Sequence, residues 1–247
     1  MSPARRLVTR LGVLVAVVAS GVFLATRPVT TKQGVNYEVS THRIPLYLKT
    51  LEFVDRSAQY QQIADEVAGD ATTDTERAIK AFDWTRRHIK PTPDGWTVVD
   101  DHLLNIITRG YGMPDQQADV FATIATYEGV PAFWRTVRLP ATRIGLILTF
   151  VKIGGGWTVF DVADGVVFRD SHGNLATLDD LRGHAELVPE RVRTLELQGI
   201  SYVDFMTRAP MPPIPRPLRA ELQMPSTRLR YELLAALHLV EPDNEPE

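Results

Sequence analysis

Nucleophiles, bases and metal ligands are scarce in this chain and poorly spaced for joint work. It contains no cysteine, which excludes a thiolate nucleophile, a thiolate metal site and a disulfide framework. No serine stands in a G-x-S-x-G turn, and Ser171-His172 are neighbours in a turn sequence, where solvated polar residues are the default. A zinc site would need spaced histidines and carboxylates. His102 beside Asp100 and Asp101, and His184 two residues before Glu186, are the candidates, and neither has H-E-x-x-H spacing. Helix caps and surface charge account for them more simply. Gly154-Gly155-Gly156 joins two apolar runs and leads into no helix, so it is no phosphate cradle. Trp84, Trp134 and Trp157 could line a carbohydrate or peptide groove, with core packing the plainer role for each. What remains is Asp115, Asp161 and His102, which can do acid–base work only if the fold brings them within hydrogen-bond reach. No metal and no cofactor is expected.

The elements that must position these residues are legible in part. Thr73 followed by Glu76 makes a capping box, and Ala78, Phe82, Thr85 and Ile89 form one apolar stripe on a helix that should end near Lys90-Pro91. Asp100 or Asp101 can cap a short helix carrying Leu103, Leu104 and Ile107, with Gly110 as its stop. Pro114 suits the first position of the next helix, where its missing N–H would be unbonded anyway. In that helix Ala118, Phe121, Ala122 and Ala125 form a buried face of small side chains, as expected of a central helix. After Gly129 the period changes to 2. Strands are expected over Val130–Leu139, Leu146–Ile153, Trp157–Val162 and Val166–Arg169, the middle two joined by the glycine hairpin. Thr177 and Asp180 then cap another helix. Helices first and antiparallel strands second is an α+β arrangement.

The two ends differ from this body. Arg5, Arg6 and Arg10 precede the uncharged run Leu11–Thr26, an order that signals export and predicts an N-terminus in the cytoplasm with the rest outside. The run continues apolar past Ala19 and Ser20, which favours an uncleaved transmembrane anchor over a cleaved signal peptide. Residues 28–45 read as a polar tether. Pro210, Pro212, Pro213, Pro215 and Pro217 enforce an extended segment, and Leu229, Leu233, Leu237 and Val240 mark an amphipathic helix expected to pack back on the domain, ahead of an acidic tail. The formal charge is -3 overall and -6 once the three N-terminal arginines are set aside, which argues against a nucleic-acid partner.

Residues 75–162 resemble the transglutaminase-like superfamily, whose fold is that of papain-type cysteine proteases. The matching runs are Gly110-Tyr111-Gly112-Met113-Pro114-Asp115-Gln116-Gln117-Ala118, Gly129-Val130-Pro131-Ala132, and Gly155-Gly156-Trp157-Thr158-Val159-Phe160-Asp161. In that family a glycine-rich turn delivers a cysteine to a helix N-terminus, and a histidine and an aspartate follow on neighbouring strands. The resemblance gives Asp161 the place of the orienting aspartate, Pro114 the place of the cysteine, and a residue near Leu146 the place of the histidine. No histidine lies between His102 and His172, so a small slip of register changes nothing. Phe133 replaces an arginine common after the Gly-Val-Pro-Ala turn, with Arg135 close by.

The resemblance thus implies a papain-like α+β core without its chemistry. Removing a nucleophile or base from a triad costs roughly a factor of 10⁶ in turnover. The plainer role for Asp161 is a structural acceptor for backbone N–H groups or the Trp157 indole. The chain is expected to comprise an anchor or signal peptide at 1–27, the tether at 28–45, a transglutaminase-like domain at 46–207 and a proline-rich segment, helix and tail at 208–247. It is expected to be a non-catalytic protein held at a membrane through residues 11–26. A peptide-like or cell-envelope ligand, or a partner protein, would sit in a groove at Gly112, Met113, Asp115 and Gln116 facing Leu148, with Trp157 nearby. Two alternatives stay open. One is a hydrolase or transferase using Asp115, Asp161 or His102, and the other is a structural scaffold of a membrane complex.

Overall fold

A computed structural model describes residues 3–35, 38–96, 102–140 and 142–240. Asp100, Asp101 and the acidic tail at 241–247 lie outside the described residues. The chain divides into two units, Met1–Arg56 and Ser57–Glu247.

The first unit opens with helix α1 (Pro3–Ala25). Its large apolar side chains from Leu11 to Leu24 are all more than half exposed. Among the described residues no helix is long and apolar enough to cross a membrane, so the transmembrane anchor expected at residues 11–26 finds no support here. Residues 28–45 are not a featureless tether. They form two eight-residue strands, β1 (Pro28–Val35) and β2 (Glu38–Pro45), paired antiparallel with Pro28 opposite Pro45. Val29, Thr30, Thr31, Val39, Thr41 and Ile44 are β-branched and fit a pleated surface; polarity alone concealed this.

Helix α2 (Leu46–Ala68) runs across the boundary, and its buried residues Ser57, Tyr60, Ala64 and Val67 recur at helical spacing and belong to the second unit. Helix α3 (Asp74–His88) begins at the expected capping box: Glu76 N–H donates to the Thr73 hydroxyl, and Thr73 N–H donates to the Glu76 carboxylate. Strand β3 (Lys90–Pro91) pairs in parallel with β4 (Tyr111–Gly112), bracketing the short helix α4 (Leu103–Arg109). Gly110 ends α4 with φ +74°, a left-handed conformation that a side chain disfavours. Helix α5 (Pro114–Tyr127) has Pro114 at its first turn and is buried from Gln116 to Tyr127.

Strands β5 (Ala132–Arg138), β6 (Gly145–Ile153), β7 (Gly156–Asp161) and β8 (Val166–Val167) follow as an antiparallel sheet in the order β5-β6-β7-β8. Helix α6 (Leu178–Leu181), the short pair β9 (Glu196–Leu197) and β10 (Ile200–Ser201), helix α7 (Tyr202–Arg208) and helix α8 (Pro225–Ala236) complete the order. The molecule is therefore a mixed α/β protein. Helix α8 forms where the leucine spacing asked for a helix, yet none of its residues is buried, and Leu229, Leu233, Leu237 and Leu239 are 57–67% exposed. The expectation that this stripe packs back on the domain is corrected for Leu229, Leu233 and Leu237, which face solvent, while Tyr231, Leu234 and Ala235 of the same helix are half-buried.

Side chains alternate across a strand, and the sheet accordingly divides two cores. On one face Ala132, Val151 and Phe160 pack against α3 and α5 through Phe82, Phe121 and Ala125. Phe160 stands edge-on to Phe121 at 5.1 Å between ring centroids. On the other face Phe133, Leu148, Phe150 and Val159 pack against Leu178 and Leu181 of α6 and Tyr202, Phe205 and Met206 of α7.

Candidate functional site

The turn before α5 is built by hydrogen bonds around its glycines. The backbone N–H groups of Lys90 and Thr92 donate to the carbonyls of Gly110 and Gly112. Gln116 lies under the turn, and its Oε1 accepts from Met113 N–H at 3.0 Å and from Arg109 Nη2 at 2.6 Å. Gln117 Nε2 donates to the carbonyl of the buried Gly112. Met113 and Pro114 are exposed and Asp115 is half-buried. Met113 at the cap position offers no side-chain hydrogen bond to the first turn, and Pro114 has no N–H. The positive end of a 14-residue helix is thus presented at the surface with no nucleophile on it.

Asp161 lies elsewhere. It is fully buried at the end of β7. Its Oδ1 accepts from Asp164 N–H at 3.0 Å and its Oδ2 from the Tyr202 hydroxyl at 2.7 Å. Burial pushes the carboxyl above its ordinary value, and the two hydrogen bonds pull it part of the way back. The Tyr202 hydroxyl is driven up by its own burial and by the Asp161 charge. The backbone half of the structural role expected for Asp161 is present; its side-chain donor is Tyr202 rather than Trp157.

Strand alternation fixes the relation of these groups. Asp161 shares its face with Val159, and Leu146 and Leu148 share that same face with Phe150, all toward the core that holds α7. Helix α5 packs on the opposite face. Leu146, Leu148 and Phe150 therefore point away from the face on which α5 packs, and within the expected groove stretch Leu146–Phe150 only Ile147 and Thr149 lie on the α5 face. Half-buried Trp157 stands edge-on to Phe133 at 4.9 Å. Half-buried His102 starts α4. The hydrogen bonds of Asp161 are to Tyr202 and Asp164. Among the described residues no group of three or more His, Asp or Glu side chains is placed to hold a metal ion.

A concave surface lies along β5. A cavity of about 620 Å³ is bounded by α5, by β5 and by the proline-rich segment at 213–220. Its floor holds Asp119, whose carboxylate accepts from Trp134 Nε1 at 3.0 Å and pairs with Arg219 at 3.4 Å. Sequence reading passed over this trio. Asp119 sits among alanines that read as core, and Arg219 is one hundred residues away. The signal that could have found it is an acid inside an otherwise apolar helix, which requires a partner.

Over residues 61–162 the chain matches the family model described as the transglutaminase-like superfamily. No curated protein matches it. Among solved structures it is similar to a candidate protease from Parabacteroides distasonis, with 12% identity and a TM-score of 0.37 over 53% of this chain and 35% of that one. It is similar as well to a candidate cysteine protease from Cytophaga hutchinsonii, with 18% identity and a TM-score of 0.37 over 48% and 40%. A third, described as a TGase, shows 11% identity and a TM-score of 0.35 over 54% and 43%. The chain spans well under half the length of each. The glycine turn, the central helix and the strands up to Asp161 all fall within the residues that match the transglutaminase-like model, in a chain without a cysteine.

Proposed function

We infer that the protein is an exported transglutaminase-like domain that recognises a peptide-like ligand or partner without turning it over. One observation carries the reading: Pro114, with neither a thiol nor an N–H, occupies the start of α5 in a chain that has no cysteine. A triad stripped of nucleophile and base retains at most the effect of binding and of oxyanion donors. The engagement of Asp161 by Tyr202 and Asp164 supports the same reading, because both its oxygens are already taken into a structural contact. Export is supported by Arg5, Arg6 and Arg10 ahead of the apolar run at 11–26, which would also be the point of contact with a membrane.

To test turnover, the full-length chain is assayed against fluorogenic peptide amides, esters, and a glutamine donor with an amine acceptor. Rates equal to buffer are expected. A saturable rate that Asp115→Asn or Asp161→Asn abolishes would overturn the reading in favour of a carboxylate enzyme. Alkaline phosphatase fused after residue 60 is expected to be active in bacteria, and an inactive fusion would remove the exported location.

A further inference from the structure

The sheet ends at β5, which among the described residues has only β6 beside it. Lys152 N–H donates to the Pro131 carbonyl and Leu139 N–H to the Ile144 carbonyl, with Arg138 opposite Gly145 in the register. In an antiparallel ladder this turns the backbone groups of odd-numbered β5 residues toward β6 and those of even-numbered residues outward. Ala132 N–H is taken by the Thr126 hydroxyl. Trp134, Thr136 and Arg138 therefore present an open row of N–H and C=O groups, and all three line the 620 Å³ cavity.

The lining of that cavity also includes Pro213, Ile214 and Pro215. Proline has no N–H and cannot complete a ladder. Among the described residues no strand pairing or backbone hydrogen bond joins this segment to β5. Charge adds a second observation. Arg219 is paired with Asp119, whereas Arg135 and Arg138, which also line the cavity, stand in no salt bridge among the described residues. They lie three positions apart, on opposite faces of the strand, flanking the open row.

We propose that the β5 edge binds an extended acidic peptide as an added strand, its backbone pairing with Trp134, Thr136 and Arg138 and its carboxylates meeting Arg135 and Arg138. The five residues from Trp134 to Arg138 offer about 16 Å of edge, enough for a segment of about five residues. Strand addition takes its affinity from main-chain hydrogen bonds and its selectivity from side chains on alternate faces. The arginines select for acid, and because one lies on each face, the acids must be three apart. This deepens the proposed binding role, on which it rests, by giving that role a site and a ligand class.

The probe is a fluorescein-labelled eight-residue peptide with two glutamates three positions apart among valines and threonines. It is titrated against the full-length chain in mild detergent and followed by anisotropy. Saturable binding is expected, weakened at least tenfold by N-methylation of alternate peptide residues, by lysine in place of glutamate, and by Arg135→Glu with Arg138→Glu. The two peptide controls leave the protein untouched, so misfolding cannot produce them. The proposal is overturned by no binding up to millimolar peptide, or by binding indifferent to N-methylation or to the sign of the peptide charge. No peptide binding alongside blank turnover assays would remove this site and leave the non-catalytic reading in place.

Discussion

Two acids with shielded carboxyl groups make the fold sensitive to pH. The Glu128 carboxylate ends α5 with both oxygens shielded from solvent and without a hydrogen-bond partner among the described residues. Burial raises it from 4.5 to about 8, against the opposing pull of Arg77 and Lys80. The folded chain therefore holds a proton that the unfolded chain has released, and stability declines as pH rises from about 4.5 to about 8. Glu128→Gln is expected to flatten that decline and to gain roughly 1 kcal/mol at pH 8, a figure reduced from the full shift because the residue is partly solvated. Urea midpoints at pH 5 and pH 8 measure it. Asp161 is also raised, by burial, and contributes in the same direction. Tyr202→Phe removes its 2.7 Å hydrogen bond and is expected to cost about 1–3 kcal/mol at neutral pH, less in acid where the carboxyl is protonated. Neither group was legible beforehand. Glu128 reads as an ordinary polar residue before a glycine, and Tyr202 is 41 residues from its partner.

Elements whose signals are local were readable, and those defined by distant contacts were not. Helix α3 followed from Thr73, Glu76 and the stripe through Phe82, because a cap and a period lie within one window. The sheet strands followed from alternation and the glycine turn. Helix α2 was missed although Tyr60, Ala64 and Val67 repeat correctly, since its many polar residues dilute the pattern. The faces of the sheet could have been assigned by parity, but only knowledge of which face α5 occupies says that Asp161 points away from it. The turn after β7 gathers one local contact and two such distant ones. Asp164 N–H bonds to Asp161, the Ala163 carbonyl accepts from Arg86 at 2.7 Å, and Arg191 donates to the Gly165 carbonyl. Gly165 has φ +68°, and a Cβ there would lie 2.9 Å from Arg86 Nε. Gly165→Ala is therefore expected to displace Arg86 and to lower stability by about 1–3 kcal/mol, read as a lower urea midpoint with an unchanged slope. At α8, by contrast, Leu229→Ser with Leu233→Ser is expected to change stability by less than about 0.5 kcal/mol, because both side chains face solvent. A loss above about 1 kcal/mol would mean that the helix is packed in solution.

For the molecule as a whole, the sequence resemblance and the family match agree on the scaffold over residues 61–162, while the proposed loss of chemistry has two senses. A thiol and an imidazole are absent from the chain segments that would carry them, and strand parity turns the one retained acid to the face away from the packed body of the helix that would present a nucleophile. The second sense is the stronger claim, because restoring atoms should not undo it. Pro114→Cys is combined in turn with Leu146→His, on the face that holds Asp161, and with Ile147→His, on the face toward α5. Turnover of peptide and ester substrates by each double variant is then compared with its Asp161→Asn counterpart. Rates within tenfold of the unmodified chain, unaffected by Asp161→Asn, are expected. A gain of about 10³-fold or more that Asp161→Asn erases would show that cysteine, histidine and aspartate can meet, and would contradict the placement on which the non-catalytic reading rests.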